Sequence, residues 1–288
     1  MKSKLKSVAG GMLFGASLLT AGLSGLTPAH AAGTAVPNYE VKWYLDPAVV
    51  LDSDHKLKSS VRSEFGMPST VEKMNVEYLD SDDLELNDEG WNVRIRKMEE
   101  FSDEEFELTY KKRYPIVNGD IQAALETAAD DGFDADEEDY KAQVEWGYSS
   151  QTLSFSNDKD AEENGYDGME LPDAGDSRDM AVDKLPGKLE NWQSGNWAED
   201  ILEDAHIYGP VEAKRSIGEW DDEELYIEVW QIRNAAGTGY DYLVEASMKI
   251  DDYSTASTKR DSLKNKLIQK GWFLPIDGLK TSLILERY

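Results

Sequence analysis

EYLDSDDLELNDEGWNVRIRKMEEFSDEEFELTYKK, residues 77–112, contains two short runs in which charge alternates with apolar bulk. In the first, Arg94 and Arg96 alternate with Val93 and Ile95; in the second, Glu107, Thr109 and Lys111 alternate with Phe106, Leu108 and Tyr110. Successive side chains of an extended strand point to opposite faces, so each run reads as a strand with one apolar and one polar face. Laid side by side, the two strands would set two guanidiniums, an ammonium and a hydroxyl on one surface. That set suits an anion with several oxygens, because the guanidinium fork matches phosphate geometry and lysine adds a point charge. A lone Arg-x-Arg strand is more simply a hairpin with its polar side in water, so the rest of the chain has to decide.

The same alternation recurs on both sides of this block. Tyr39, Val41 and Trp43 alternate with Glu40 and Lys42 in a first strand over Tyr39–Leu45; Val71–Leu79 reads as the next. Asp52–Phe65, with Leu57 and Val61 four apart, reads as a helix ended by Gly66 and Pro68, and Asp82–Glu89 as a helical turn closed by Gly90. From 118 to about 197 the composition turns acidic, around a helix at Ile121–Ala129 and a strand-like run, Ala142–Phe155, that carries Glu145. Asp158, Asp160 and Glu162 are spaced like calcium ligands, but the loop glycine such a site needs is Glu163, which argues against an EF-hand. Regular alternation then returns: a helix at Lys184–Glu203, broken by nothing except Pro186 and Gly195, strands at Val211–Ile217, Leu225–Ile232 and Tyr240–Ile250, a helix at Thr255–Lys270, and a last strand at Leu279–Arg287. The pattern predicts one large α+β domain over 39–288, antiparallel strands with helices in the connections.

Composition narrows the chemistry. Lys2, Lys4 and Lys6, a small and apolar run from Val8 to Leu26, and Ala29-His30-Ala31 have the three-part form of a secretory leader over residues 1–31. The run is interrupted by Gly11, Ser17, Gly22, Ser24 and Gly25, which favours a cleaved leader over a retained anchor, and a short tether at 32–38 follows. The chain is therefore expected to be secreted, with no membrane span in its mature part. It contains 0 cysteines and, past the leader, only His55 and His206, which excludes thiol catalysis, cysteine metal sites and a multi-histidine centre. The formal net charge is −28, moving to −31 once the three leader lysines leave. Such a chain repels nucleic acid, so an anion site has to be a local, enclosed basic pocket.

The polar strand positions collect Glu40, Lys42, Arg94, Arg96, Glu107, Lys111, Glu145, Glu228, Glu245 and Lys280. A barrel closed around them would be a tunnel lined by both signs of charge. The order of these residues resembles the CYTH family, the triphosphate tunnel metalloenzymes, from about Tyr39 to Lys280. The resemblance is carried by Tyr78-x-Asp80, a leucine-containing turn, Gly90, Arg94-x-Arg96 and Thr109-x-Lys111, then by YIEVW, YDYLVEASMKI and Leu279-Lys280. It implies an eight-stranded antiparallel tunnel, a bound Mg or Mn ion, and hydrolysis or transfer at a triphosphate. By position it implies that Arg94, Arg96, Lys111 and Lys280 grip phosphate, that Glu40, Glu228 and Glu245 bind metal, with Glu145 a further carboxylate, and that Glu40 and Lys42 serve catalysis. In the strand VEAKRSIG, alternation sets Lys214 on the Glu212 face, whereas the family pattern equally selects Arg215; Lys214 is taken as the phosphate ligand.

Two positions depart from the family pattern. Its first-strand Glu-x-Glu-x-Lys reads Asn38-Tyr39-Glu40-Val41-Lys42 here, and a second Glu-x-Glu becomes Glu245-Ala246-Ser247. Each substitution removes a negative charge from the metal side, so anion binding is better supported than catalysis. The reading is a secreted protein that binds a triphosphate- or polyphosphate-type anion, with metal-dependent hydrolysis as its enzymatic form. The alternatives are a non-catalytic phosphate binder and an acidic extracellular interaction scaffold.

Overall fold

The computed structural model describes residues 33–193, 195–278 and 280–288; the leader read at 1–31 lies outside them. Nine strands close on themselves: β1 (Asn38–Leu45), β2 (Glu72–Asp80), β3 (Trp91–Met98), β4 (Glu105–Pro115), β5 (Lys141–Trp146), β6 (Gln151–Glu162), β7 (His206–Trp220), β8 (Glu223–Arg233) and β9 (Tyr240–Ile250). Around the barrel they run β1-β5-β6-β4-β3-β2-β7-β8-β9 and back to β1, and a two-residue β10 (Phe273–Leu274) pairs with the end of β1. All these pairs are antiparallel except β1–β5, which is parallel from Asn38 opposite Gln143 to Val41 opposite Trp146.

This corrects the expected eight-stranded antiparallel barrel to a mixed barrel of nine. The ninth strand comes from Ala142–Phe155, which is a hairpin: Gly147 N–H donates to the Ser150 carbonyl at 2.9 Å and turns β5 into β6. Alternating directions can close a ring only if the strand count is even. With nine, one neighbouring pair has to be parallel. β6 also runs on through Asp158, Asp160 and Glu162, which are extended backbone paired with β4 and not a calcium loop.

Other boundaries moved for local reasons. The segment read as a helix at Lys184–Glu203 is split at Pro186 and Gly195 into Gly187–Glu190 and Trp197–Glu203, and a further helix, Ala174–Asp183, precedes it. Of Asp52–Phe65 only Ser59–Glu64 is helical. The expected last strand is a helix, Lys280–Arg287, whose buried residues Thr281, Ile284 and Leu285 fall at helical spacing.

The barrel's apolar face points outward. Val41, Trp43, Val93, Ile95, Leu108 and Tyr110 are buried beneath the surrounding helices, in one cluster with Leu263 and Leu267 of the helix Tyr253–Lys270 and with Leu125, Met180 and Leu202 from other helices. A second cluster sits on the inner face: Met74, Val76, Tyr78, Val211, Trp230 and Ile232 pack against Ile284 and Leu285 of the C-terminal helix. Burial of this kind stabilises by roughly 25 cal/mol per Å² of apolar surface, so the outer helices hold the barrel's shape and leave its interior free for polar groups.

The 77–112 block is organised by Asp80 and Gly90. The Asp80 carboxylate accepts from the backbone N–H groups of Ser81, Leu86 and Asn87 at 2.8, 2.9 and 2.9 Å, fixing the turn before β3. Gly90 has φ +74°, and a Cβ there would stand 2.8 Å from the Arg113 carbonyl oxygen. That close approach lets the Gly90 carbonyl accept from Arg113 N–H at 2.8 Å and sets β3 against β4.

One carboxyl is buried on the outer side. Glu77, on β2, is 3% exposed, and the Ser177 hydroxyl donates to it at 2.6 Å. Burial pushes its pKa up to about 7, with the Ser177 hydrogen bond opposing. The folded value thus lies above the ordinary one, so the Glu77 contribution to stability is fullest below about pH 4.5 and is lost as pH rises through about 7. Chemical denaturation is expected to show a loss on the order of 3 kcal/mol across that window, at about 1.4 kcal/mol per unit, and Glu77→Gln should flatten it.

Candidate functional site

The tunnel encloses about 360 Å³ and is lined by nine cations, Lys42, Arg94, Arg96, Lys111, Arg113, Lys141, Arg215, Lys249 and Lys280, against six carboxylates, Glu40, Glu107, Asp158, Glu145, Glu228 and Glu245. That is an excess of three positive charges inside a chain whose formal charge is −28. Low-dielectric walls strengthen every interaction in such an enclosure.

Three clusters make up the lining. In the first, the Lys42 ammonium lies 2.9 Å from Glu40 and 3.2 Å from Glu145, while Lys111 reaches the other Glu145 oxygen at 3.1 Å and Arg113 stands 3.9 Å from it. Burial alone would raise the Glu145 pKa, but Lys42, Lys111 and Arg113 outweigh it and hold the carboxyl well below the usual range. Burial works against the Lys42 charge too, and Glu145, Glu40 and Glu245 overcome it, so Lys42 stays firmly protonated. Lys111 goes the other way: burial lowers it, Glu145 only partly compensates, and Arg113 and Lys42 push it further down.

In the second cluster Arg94 donates to Thr109 Oγ1 at 2.8 Å and lies 3.3 Å from Glu107, whose same oxygen meets Arg96 at 2.6 Å; Thr109 in turn donates to Asp158 at 2.8 Å. In the third, Arg215 holds one oxygen of Glu228 at 2.9 Å, and Lys280 bridges the other, at 2.9 Å, to Glu245, at 2.8 Å. Trp230 Nε1 also donates to Glu228 at 2.9 Å, and the Lys280 ammonium lies 4.5 Å from the Trp230 ring centroid. Burial raises the Glu228 carboxyl, but Lys280 and Arg215 carry it far below its ordinary value. The carboxylates hold Lys280 far above its own against burial.

Arg94, Arg96 and Arg113 each keep a buried Nε–H with no hydrogen-bond partner. The same holds for Arg260 and Arg287 away from the tunnel, so these buried Nε–H groups do not by themselves mark a ligand site; the surplus of cations lining the cavity does.

Most of the expected residues therefore converge: Glu40, Lys42, Arg94, Arg96, Lys111, Glu228, Glu245 and Lys280 all line the cavity, Lys280 from the first residue of a helix instead of a strand. Lys214 does not. It pairs with Val229 on the outer face, while its neighbour Arg215 pairs with Glu228 inside. Arg113, Lys141, Asp158 and Lys249 also line the cavity and lie outside the set expected from sequence. Arg113 continues the Thr109-x-Lys111 alternation by one step and is legible; Asp158 sits in an acidic run whose spacing resembles calcium ligands.

The three carboxylates assigned to a metal do not form one ligand set. Glu228 and Glu245 are cross-strand partners, but along β1 and β9 Glu245 faces Tyr44, Ser247 faces Lys42 and Lys249 faces Glu40. Four residues at a rise of about 3.3 Å set the Glu40 backbone roughly 13 Å along the strand from the Glu228–Glu245 pair. Among the described residues no three acidic, histidine or cysteine side chains gather as a metal site. The donor set does not fit the ion that the resemblance implies.

No family model matches the sequence, and no curated protein matches it. Solved structures do. A chain from Hippeastrum, named as a putative adenylyl cyclase with a dominant triphosphatase activity, is 12% identical, with a TM-score of 0.50 over 86% of this chain and 99% of that one. An adenylate cyclase candidate from Bacillus halodurans is 10% identical with a TM-score of 0.46, over 88% of this chain and 98% of its own. A conserved hypothetical protein from Pyrococcus furiosus is 12% identical with a TM-score of 0.40, over 85% and 99%. At these identities the likeness is one of fold alone, the closed barrel with surrounding helices.

Proposed function

We propose that this protein binds a triphosphate- or polyphosphate-type anion inside its tunnel, and that it does so outside the cell, delivered there by the leader at 1–31. The observation that carries the reading is the lining of the enclosed cavity, nine cations against six carboxylates, with Arg94, Arg96 and Arg113 together on β3 and β4. Guanidinium donors in a fixed fork favour phosphate oxygens. The rest of the surface carries the chain's negative charge, which turns nucleic acids and anionic surfaces away and leaves the enclosed pocket as the place where an anion gains.

Hydrolysis of the bound anion is the second reading, favoured by the triphosphatase activity named for the Hippeastrum protein. In it Arg94, Arg96 and Lys111 would take up charge on the phosphoryl oxygens, and Glu40, held by Lys42, would orient water. Mg or Mn belongs to this reading as the resemblance gives it.

Titration calorimetry with inorganic tripolyphosphate, run beside an orthophosphate-release assay with and without Mg or Mn, separates the readings. Saturable binding without release is expected. Release above the protein-free blank establishes the hydrolase, and no binding under any of these conditions leaves the barrel as an interaction scaffold.

A further inference from the structure

We infer that the tunnel takes its phosphate-rich ligand as the free anion, neutralised by its own lysines and arginines, and that divalent metal competes with the protein for this ligand. The inference rests on the phosphate reading above and deepens it.

Every carboxylate that faces the tunnel is already engaged. Glu40 and Glu145 share Lys42, Glu145 also holds Lys111, Glu107 holds Arg94 and Arg96, Glu228 holds Arg215 and Lys280, Glu245 holds Lys280, and Asp158 accepts from Thr109. Two of these cations sit where a metal would have to sit. Lys280 occupies the point between Glu228 and Glu245, and Lys42 the point between Glu40 and Glu145. A dication entering either place would meet an ammonium within a few ångströms, and like charges in a low-dielectric enclosure repel strongly.

The rung between the two pairs is where added carboxylates could have tipped the balance. It holds Ser247 opposite Lys42. Position 38, at the start of β1, holds an asparagine whose Oδ1 is buried without a partner. Neither side chain brings the negative charge that would outbid a lysine for a metal. Conversely, the lining already carries three more cations than carboxylates, so an arriving phosphate chain meets surplus guanidinium and ammonium donors without a metal. Magnesium complexes the same phosphate oxygens in solution, and a complexed anion brings less charge and fewer open acceptors to these donors.

The test is titration calorimetry of the purified protein with inorganic tripolyphosphate, first in EDTA and then across rising magnesium. One-to-one binding in EDTA is expected, with affinity falling by roughly tenfold or more as magnesium takes up the free anion. The double variant Asn38→Glu, Ser247→Glu should reverse the pattern, binding weakly in EDTA and gaining affinity with magnesium. An affinity for the unmodified protein that magnesium or manganese leaves unchanged or raises overturns the inference and leaves the phosphate reading standing. No binding with or without metal overturns both.

Discussion

Glu145→Ala is expected to lower the stability of this protein by about 3 kcal/mol, the lower end of the cost of stripping one partner from a buried ion cluster. Glu145 is 5% exposed and is the shared counter-ion of Lys42, Lys111 and, at longer range, Arg113. Removing it leaves Lys111 and Arg113 without a carboxylate partner beside Lys42, which keeps only Glu40. The lower end applies because the cations border a solvent-filled cavity and keep 17–20% of their side-chain surface exposed. In a domain of this size such a loss corresponds to a melting point lower by on the order of 10 °C. Two further readouts identify the cause. Tripolyphosphate should raise the melting point of the variant more than that of the wild type, since the anion now supplies the missing counter-charge. The acid limb should also change: the folded Glu145 carboxyl lies below its ordinary value, so its contribution is complete above about pH 4.5 and lost as pH falls below it. The variant should lack that part of the acid transition. A melting point unchanged by the substitution would show that the cluster is solvated well enough to need no counter-ion.

How much of this site the sequence discloses depends on the range of the rule involved. Period-two alternation is local, and it identified the facing sets Glu40 and Lys42, Arg94 and Arg96, and Thr109 and Lys111, all of which line one cavity. Which face of a strand is enclosed is not local. In this barrel both faces are sequestered, the apolar one under helices and the polar one around the tunnel, so hydrophobicity alone does not reveal that the charged side is shut away from bulk water. The choice between Lys214 and Arg215 fails for a related reason. From Val211 to Arg215 the register is unbroken, so alternation correctly sets Lys214 on the Glu212 face, but only the closed barrel makes that face the outer one and turns Arg215 inward. The C-terminal run is short enough for Ile284 and Leu285 to read as strand or helix; only the inner apolar patch at Met74, Val76 and Trp230 selects the helix. The metal assignment fell on distance between strands. Spacing along one strand says nothing about which rung of the barrel each residue occupies, and Glu40 and Glu245 occupy different ones.

Those same facing rules make the cationic wall separable from its surroundings by mutation. Arg94→Ala and Arg96→Ala should each weaken tripolyphosphate binding by about ten- to a hundredfold, the span of a charge-assisted hydrogen bond worth roughly 1.5–3 kcal/mol. Neither single change strands Glu107, because the two guanidiniums meet the same Glu107 oxygen and the survivor still pairs with it. Stability should therefore move little, and the loss should register as binding. Arg113→Ala tests a third cation of the same wall. Its nearest carboxylate contact is 3.9 Å, so little internal pairing is lost with it, and any fall in affinity belongs to the ligand. Lys214→Ala provides the control, since Lys214 carries the same charge on the same strand as Arg215 but on the outer face opposite Val229. Calorimetric titration of the four variants should rank them with Lys214→Ala indistinguishable from wild type. Equal losses at Lys214 and at Arg94 would mean that the anion is attracted by general surface charge, and the enclosed wall would then have no special claim on it.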